Sequence, residues 1–87
     1  MLYKLSESLK AKKYFERALA ITTKIGDRRG EASCYGKLGT VFTSLGQYDK
    51  AEEYLQKALV ITTEIGDRKG QGECYVKLAT VFQSFGQ

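Results

Sequence analysis

The sequence contains no histidine, no proline and no asparagine, and its 87 residues include only two cysteines. Each shortage excludes something. Without histidine the commonest general acid–base side chain is missing, and no glycine-rich loop of the phosphate-cradling kind is present. The only adjacent carboxylates, Glu52 and Glu53, fall on a solvent-facing stretch, so no enzyme is expected and no cofactor either. Without proline nothing breaks a helix from within, and the nine glycines are set at intervals rather than clustered, which favours an all-α chain. Cys34 and Cys74 are too few for a disulfide scaffold; they are expected to be reduced packing residues rather than a metal pair. No run approaches the roughly 18 to 20 apolar residues that span a bilayer, and no basic segment followed by an apolar run opens the chain. A cytoplasmic protein with no membrane contact is the expectation.

What is present fits a folded chain. Apolar residues make up 43% and charged residues 28%, the balance of a soluble domain rather than a disordered segment. At this length there is one domain at most, with a modest core. The net charge of +4 is concentrated in residues 1–29, where eight lysines and arginines face three acidic residues for a local +5. That asymmetry suits an acidic partner or a nucleic acid, but a plain solvated helix face is the favoured reading.

The strongest signal is internal repetition. Residues 14–47 laid over 54–87, an offset of 40, are identical at 21 of 34 positions. Matched blocks include Ile25-Gly26-Asp27-Arg28 with Ile65-Gly66-Asp67-Arg68, Cys34-Tyr35 with Cys74-Tyr75, and Thr40-Val41-Phe42 with Thr80-Val81-Phe82. Within one period, Ala51, Tyr54, Leu55, Ala58, Leu59, Thr62 and Ile65 recur at helical spacing, as do Tyr35, Leu38, Gly39, Phe42 and Leu45. Each period is therefore a helix pair. Gly66 suits a left-handed residue closing one helix, and Asp67 a cap opening the next; Gly26-Asp27 repeats the arrangement, and Gly46-Gln47-Tyr48 marks the other turn. Helices are expected near residues 8–25, 28–45, 48–65 and 68–85. Met1 to Leu5 align with Val41 to Leu45, so the first residues read either as the stub of a preceding helix or, since Ser6-Glu7-Ser8 lacks the turn glycine, as the start of one longer first helix.

In order and spacing, Tyr35, Leu38, Gly39, Phe42, Gly46, Tyr48, Ala51, Leu55 and Ala58 resemble the tetratricopeptide repeat. Tyr75, Leu78, Ala79, Phe82 and Gly86 begin a second copy, and Ala11, Phe15 and Ala18 close an earlier one. The resemblance implies tandem antiparallel helix pairs in a short right-handed superhelix, an α-solenoid of four helices. One tetratricopeptide unit would fill residues 1–87, with 8–27 as the second helix of a partial repeat, 28–67 as a complete pair and 68–87 as the first helix of another partial repeat. The small residues Gly39, Ala51 and Ala58 then let helix backbones approach. The usual repeat is 34 residues long; here the second helix is extended and Gly-Asp stands in place of proline. This resembles the 40-residue subtype of the polarity adaptors that position mitotic spindles, and is similar to the longer repeats of kinesin light chains.

The resemblance also implies a protein-binding scaffold or adaptor, with the first helix of each pair lining a concave groove for a peptide or partner helix. Lys37 and Lys77 place one cation per repeat at the same groove position, a ladder for the carboxylates of an acidic ligand, with Thr40, Thr80, Ser44 and Ser84 beside them. Duplicated, solvated lysines are the plainer reading. Some members of the family clamp a terminal carboxylate with lysines and asparagines, and the absence of asparagine argues against that clamp. Arg28 and Arg68 either reach over the groove rim or pair with nearby acids, and Tyr14, Tyr35, Tyr54 and Tyr75 are expected in the core. The groove shows no regular code of base-reading side chains, so a protein or peptide is expected in preference to a nucleic acid. A second possibility is a homo-oligomer: each end of the chain is expected to expose an apolar face, and pairing of the last helix with the first helix of another molecule, or of like ends in a dimer, would cover it.

Overall fold

Three left-handed glycines divide the chain into four helices. The computed structural model describes the backbone of residues 2–86 and the side chains of residues 5–86. Its elements are α1 (Leu2–Ile25), α2 (Arg28–Ser44), α3 (Tyr48–Glu64) and α4 (Arg68–Phe85). Gly26, Gly46 and Gly66 have φ of 75°, 75° and 71°. At each, the glycine amide and the amide after it bond back to the last turn of the finished helix; for Gly66 these are Gly66 N–H to Thr63 O at 3.2 Å and Asp67 N–H to Thr62 O at 2.9 Å. That pair of bonds satisfies carbonyls which would otherwise end unpartnered. The residue following the glycine then opens the next helix. Asp27 accepts from Gly30 N–H at 2.9 Å and Asp67 from Gly70 N–H at 3.0 Å, so a two-residue step both ends one helix and caps its successor. Such short connections force neighbouring helices antiparallel.

The first helix is longer than its counterpart. α1 is continuous from Leu2 through Ser6-Glu7-Ser8, because that stretch has no glycine to adopt the left-handed turn found at Gly46. This decides between the two alternatives for the start of the chain; Met1 lies outside the described residues.

Packing follows the small-residue pattern. Leu38, Phe42, Ala51, Leu55, Leu78 and Val81 form the central cluster, with Phe15, Leu19, Leu45, Tyr48, Tyr54 and Leu59 partly buried against it. α2 and α3 make the closest pair: a Cβ added at Gly39 would stand 2.5 Å from Leu55 Cγ, closer than any real contact, so the leucine occupies the space a side chain would need. Across the same joint Phe42 stacks on Tyr54 with ring centroids 5.1 Å apart, and Tyr35 lies 5.8 Å from Tyr54.

Two expected core residues are not in the core. Tyr35 and Tyr54 are partly buried against each other, but Tyr14 is 68% exposed and Tyr75 61%. The reason is positional. Tyr14 occupies on α1 the place Tyr54 holds on α3, and Tyr75 occupies on α4 the place of Tyr35 on α2, yet no described helix packs against the outer face of α1 or of α4.

Candidate functional site

The first three turns of α2 and α4 project side chains toward a common cleft. Arg29, Ser33, Gly36 and Lys37 lie along one stripe of α2, and Gly70, Glu73 and Lys77 face them from α4; Thr62, Cys74 and Ala32 form the floor of an open recess of about 210 Å³. A Cβ built on Gly36 would lie 3.6 Å from Lys77 Nζ, an ordinary contact distance, which places the Lys77 ammonium beside the α2 backbone. Lys77 thus reaches back over α2, and the two lysines of the ladder share one cleft.

The charges in this cleft are unequally engaged. Arg29 Nη1 bonds Asp67 Oδ2 at 3.2 Å, while the other oxygen of that carboxylate caps α4. Neither Lys37 nor Lys77 makes an ion pair among the described residues, and Glu73 is the remaining acid on the lining. Three cations against two carboxylates leave the cleft with one net positive charge. Beneath it, burial pushes the Cys74 thiol above its ordinary pKa, and the nearby Thr62 and the charge of Lys77 offset this only in part. Cys34 and Cys74 are both buried and free, and the cleft has no group of ligating side chains for a metal among the described residues.

The other expected site residues separate. Thr40 and Ser44 line a wider recess of about 680 Å³ between α2 and α1, together with Leu5, Glu7, Ser8, Ala11 and Val41. The Thr40 hydroxyl donates to Gly36 O at 3.3 Å, and the Thr80 hydroxyl to Val76 O at 3.1 Å. Neither Thr80 nor Ser84 lines the lysine cleft. Arg28 is held by Glu31 at 3.2 Å and by Glu64, which favours the pairing alternative for that residue. Arg68 lies with Gln71, Gly72 and Tyr75 at a different surface. Arg29 and Asp67 were not among the expected groove residues; the period offered a signal, since Arg29 recurs as Lys69 one place after each Gly-Asp-Arg.

Asp67 carries two roles that substitution can separate. Asp67→Ala is expected to lower stability by about 0.5–2 kcal/mol through loss of the cap, and Asp67→Asn, which retains a capping oxygen, by only a few tenths. Urea titration of the two variants checks this; equal losses would mean that the exposed bond to Arg29, not the cap, is what matters.

The two- and three-residue connections between antiparallel helices, the glycine-to-leucine contact of α2 on α3, and the 40-residue repetition agree with a family model for the tetratricopeptide repeat, which matches residues 1–64 and again 38–87. The chain belongs to the tetratricopeptide repeat family. Members of that family generally mediate protein–protein interactions and are typically non-catalytic scaffolds. No curated protein matches the chain. In this tetratricopeptide chain no helix among the described residues is long and apolar enough to cross a membrane.

Proposed function

We propose that the chain is a cytoplasmic adaptor whose α2–α4 cleft holds an acidic peptide or partner helix. The observation that carries this reading is the pair Lys37 and Lys77: two lysines lining one recess, neither in an ion pair among the described residues. A carboxylate-bearing ligand would give each lysine a charge-assisted bond that it lacks in the free chain. Arg29 sits at the rim with its exposed side chain on Asp67, and exchange of that partner for a ligand carboxylate adds a third contact. Thr40 and Ser44 extend the surface toward α1, Thr80 and Ser84 continue the stripe along α4, and Arg28 and Arg68 lie outside it. The 40-residue period supports placing the chain with the longer-repeat subtype of the spindle-positioning adaptors, without transferring their partners.

The test uses a fluorescein-labelled glutamate-rich ten-residue peptide and a lysine-rich peptide of equal length. Wild type is expected to bind the acidic peptide, with affinity falling as salt rises, and Lys37→Glu with Lys77→Glu together should weaken that binding at least about tenfold. Unchanged binding by the double variant would falsify the cleft as the site.

A second reading, a structural assembly role through the end helices, is supported by the exposed apolar side chains of α1 and α4. Tyr14, Ile21 and Ile25 lie exposed on the first, and Tyr75, Val76, Phe82 and Phe85 on the last.

A further inference from the structure

By the 40-residue period, α1 is the equivalent of α3 and α4 the equivalent of α2. Inside the chain, α2 and α3 bury one face against each other through Phe42, Tyr35 and Tyr54, and Lys57 Nζ lies 5.6 Å and 5.2 Å over the Tyr35 and Tyr54 rings. The matching residues at the two ends are Phe82 and Tyr75 on α4, and Tyr14 and Arg17 on α1. All four are exposed, Phe82 at 51% where Phe42 is at 1%. The ends therefore carry the two halves of an interface that the chain already contains once.

We infer that a second copy of this chain covers these faces head to tail, α4 of one copy packing on α1 of the next in the register of α2 on α3. In that register Tyr14 of the second copy stacks on Phe82 and meets Tyr75, as Tyr54 does with Phe42 and Tyr35. Arg17 takes the place of Lys57 over the two tyrosines, and Lys10 that of Lys50, which lies 5.6 Å over Phe42. The straight course of α1 from Leu2 leaves room for this, because the residues ahead of Ser8, the equivalent of Tyr48, project past the neighbour's α4 instead of folding back onto the shared face. Charge disfavours the symmetric alternative through α1, which would set Lys10, Lys13 and Arg17 against their own copies.

Two exchanges make the contact between copies weaker than the internal one. Glu64 pairs with Arg28 across the α2–α3 joint, and its equivalent on α1 is Lys24, which meets Arg68 as a like charge. Gly39 and Leu55 become Ala79 and Phe15, so the helices sit further apart. The association is weak, heterologous and open-ended, and salt strengthens it by screening Arg68 from Lys24.

This interface specifies the assembly reading above and rests on it, and analytical ultracentrifugation of the 87-residue chain over a concentration series separates the two. Wild type should gain mass with concentration, more so at high salt, and Lys24→Glu should associate roughly three- to tenfold more tightly at low salt. Tyr14→Glu and Phe82→Glu, both at exposed positions, should each be monomeric alone. Mixed in equal amounts they should form a heterodimer, because the first retains an intact α4 face and the second an intact α1 face. A wild type that stays monomeric at every concentration overturns both the assembly reading and this interface. Self-association that survives in either capped variant, or a mixture that forms no heterodimer, overturns the head-to-tail register alone.

Discussion

Truncation of Phe42 to alanine is expected to remove about 3–5 kcal/mol of stability. The ring is 1% exposed, stacked on Tyr54, and covered by the Lys12 and Lys50 side chains, whose ammonium groups lie 5.8 Å and 5.6 Å from its centroid. Its loss opens a cavity where α2 and α3 meet, and those helices cannot close it without breaking the Gly39–Leu55 contact. Since small domains hold only about 5–15 kcal/mol in total, and one of this length sits at the low end, the variant should be largely unfolded at 37 °C. Circular dichroism during urea and thermal unfolding checks this. Phe82, identical by period and half exposed, is the internal control. At monomeric concentrations its replacement by alanine should cost less than about 1 kcal/mol, and equal losses at the two positions would contradict the packing asymmetry between the middle and the ends of the chain.

The second large effect is a change of sign for one type of substitution. Gly72→Ala in α4 meets nothing within 4 Å and should stabilise by about 0.5–1 kcal/mol, the ordinary gain from replacing glycine inside a helix. Gly39→Ala carries the same intrinsic gain, but its Cβ would come 2.5 Å and 2.6 Å from Leu55 Cγ and Cδ2. Leu55 is fully buried at the centre of the cluster, so relief requires α2 and α3 to separate. Overpacking of this kind costs about 1–3 kcal/mol, which exceeds the propensity gain and leaves Gly39→Ala destabilised. Thermal midpoints should therefore move in opposite directions. A stabilised Gly39→Ala protein would show that the two helices are less closely packed than the structure has them.

The helices and their ends were legible in sequence because they are local. A left-handed glycine, a capping aspartate and apolar residues at three- and four-residue steps act within one or two turns, and repetition doubled each of these signals. The lysine pair was legible for the same reason, since one period sets Lys37 and Lys77 at the same position on equivalent helices. The Arg29–Asp67 pair was not. Those two residues meet across 38 positions of sequence, because α2 and α4 pass side by side in the fold. The division of the expected stripe, with Lys37 facing α4 and Thr40 and Ser44 facing α1, likewise depends on how α2 lies between its neighbours.

The aromatic residues show the same limit from the other side. Tyr14, Tyr35, Tyr54 and Tyr75 occupy apolar stripes that periodicity marks identically. Burial, however, requires a facing helix, and periodicity along one helix says nothing about whether a neighbour is there. The sequence by itself determined four helices, the turns between them and the face each one turns inward, all consequences of short-range geometry. Only the tertiary structure decided which of those faces are covered: α2 and α3 cover each other, while α1 and α4 each leave half of a repeated interface in solvent.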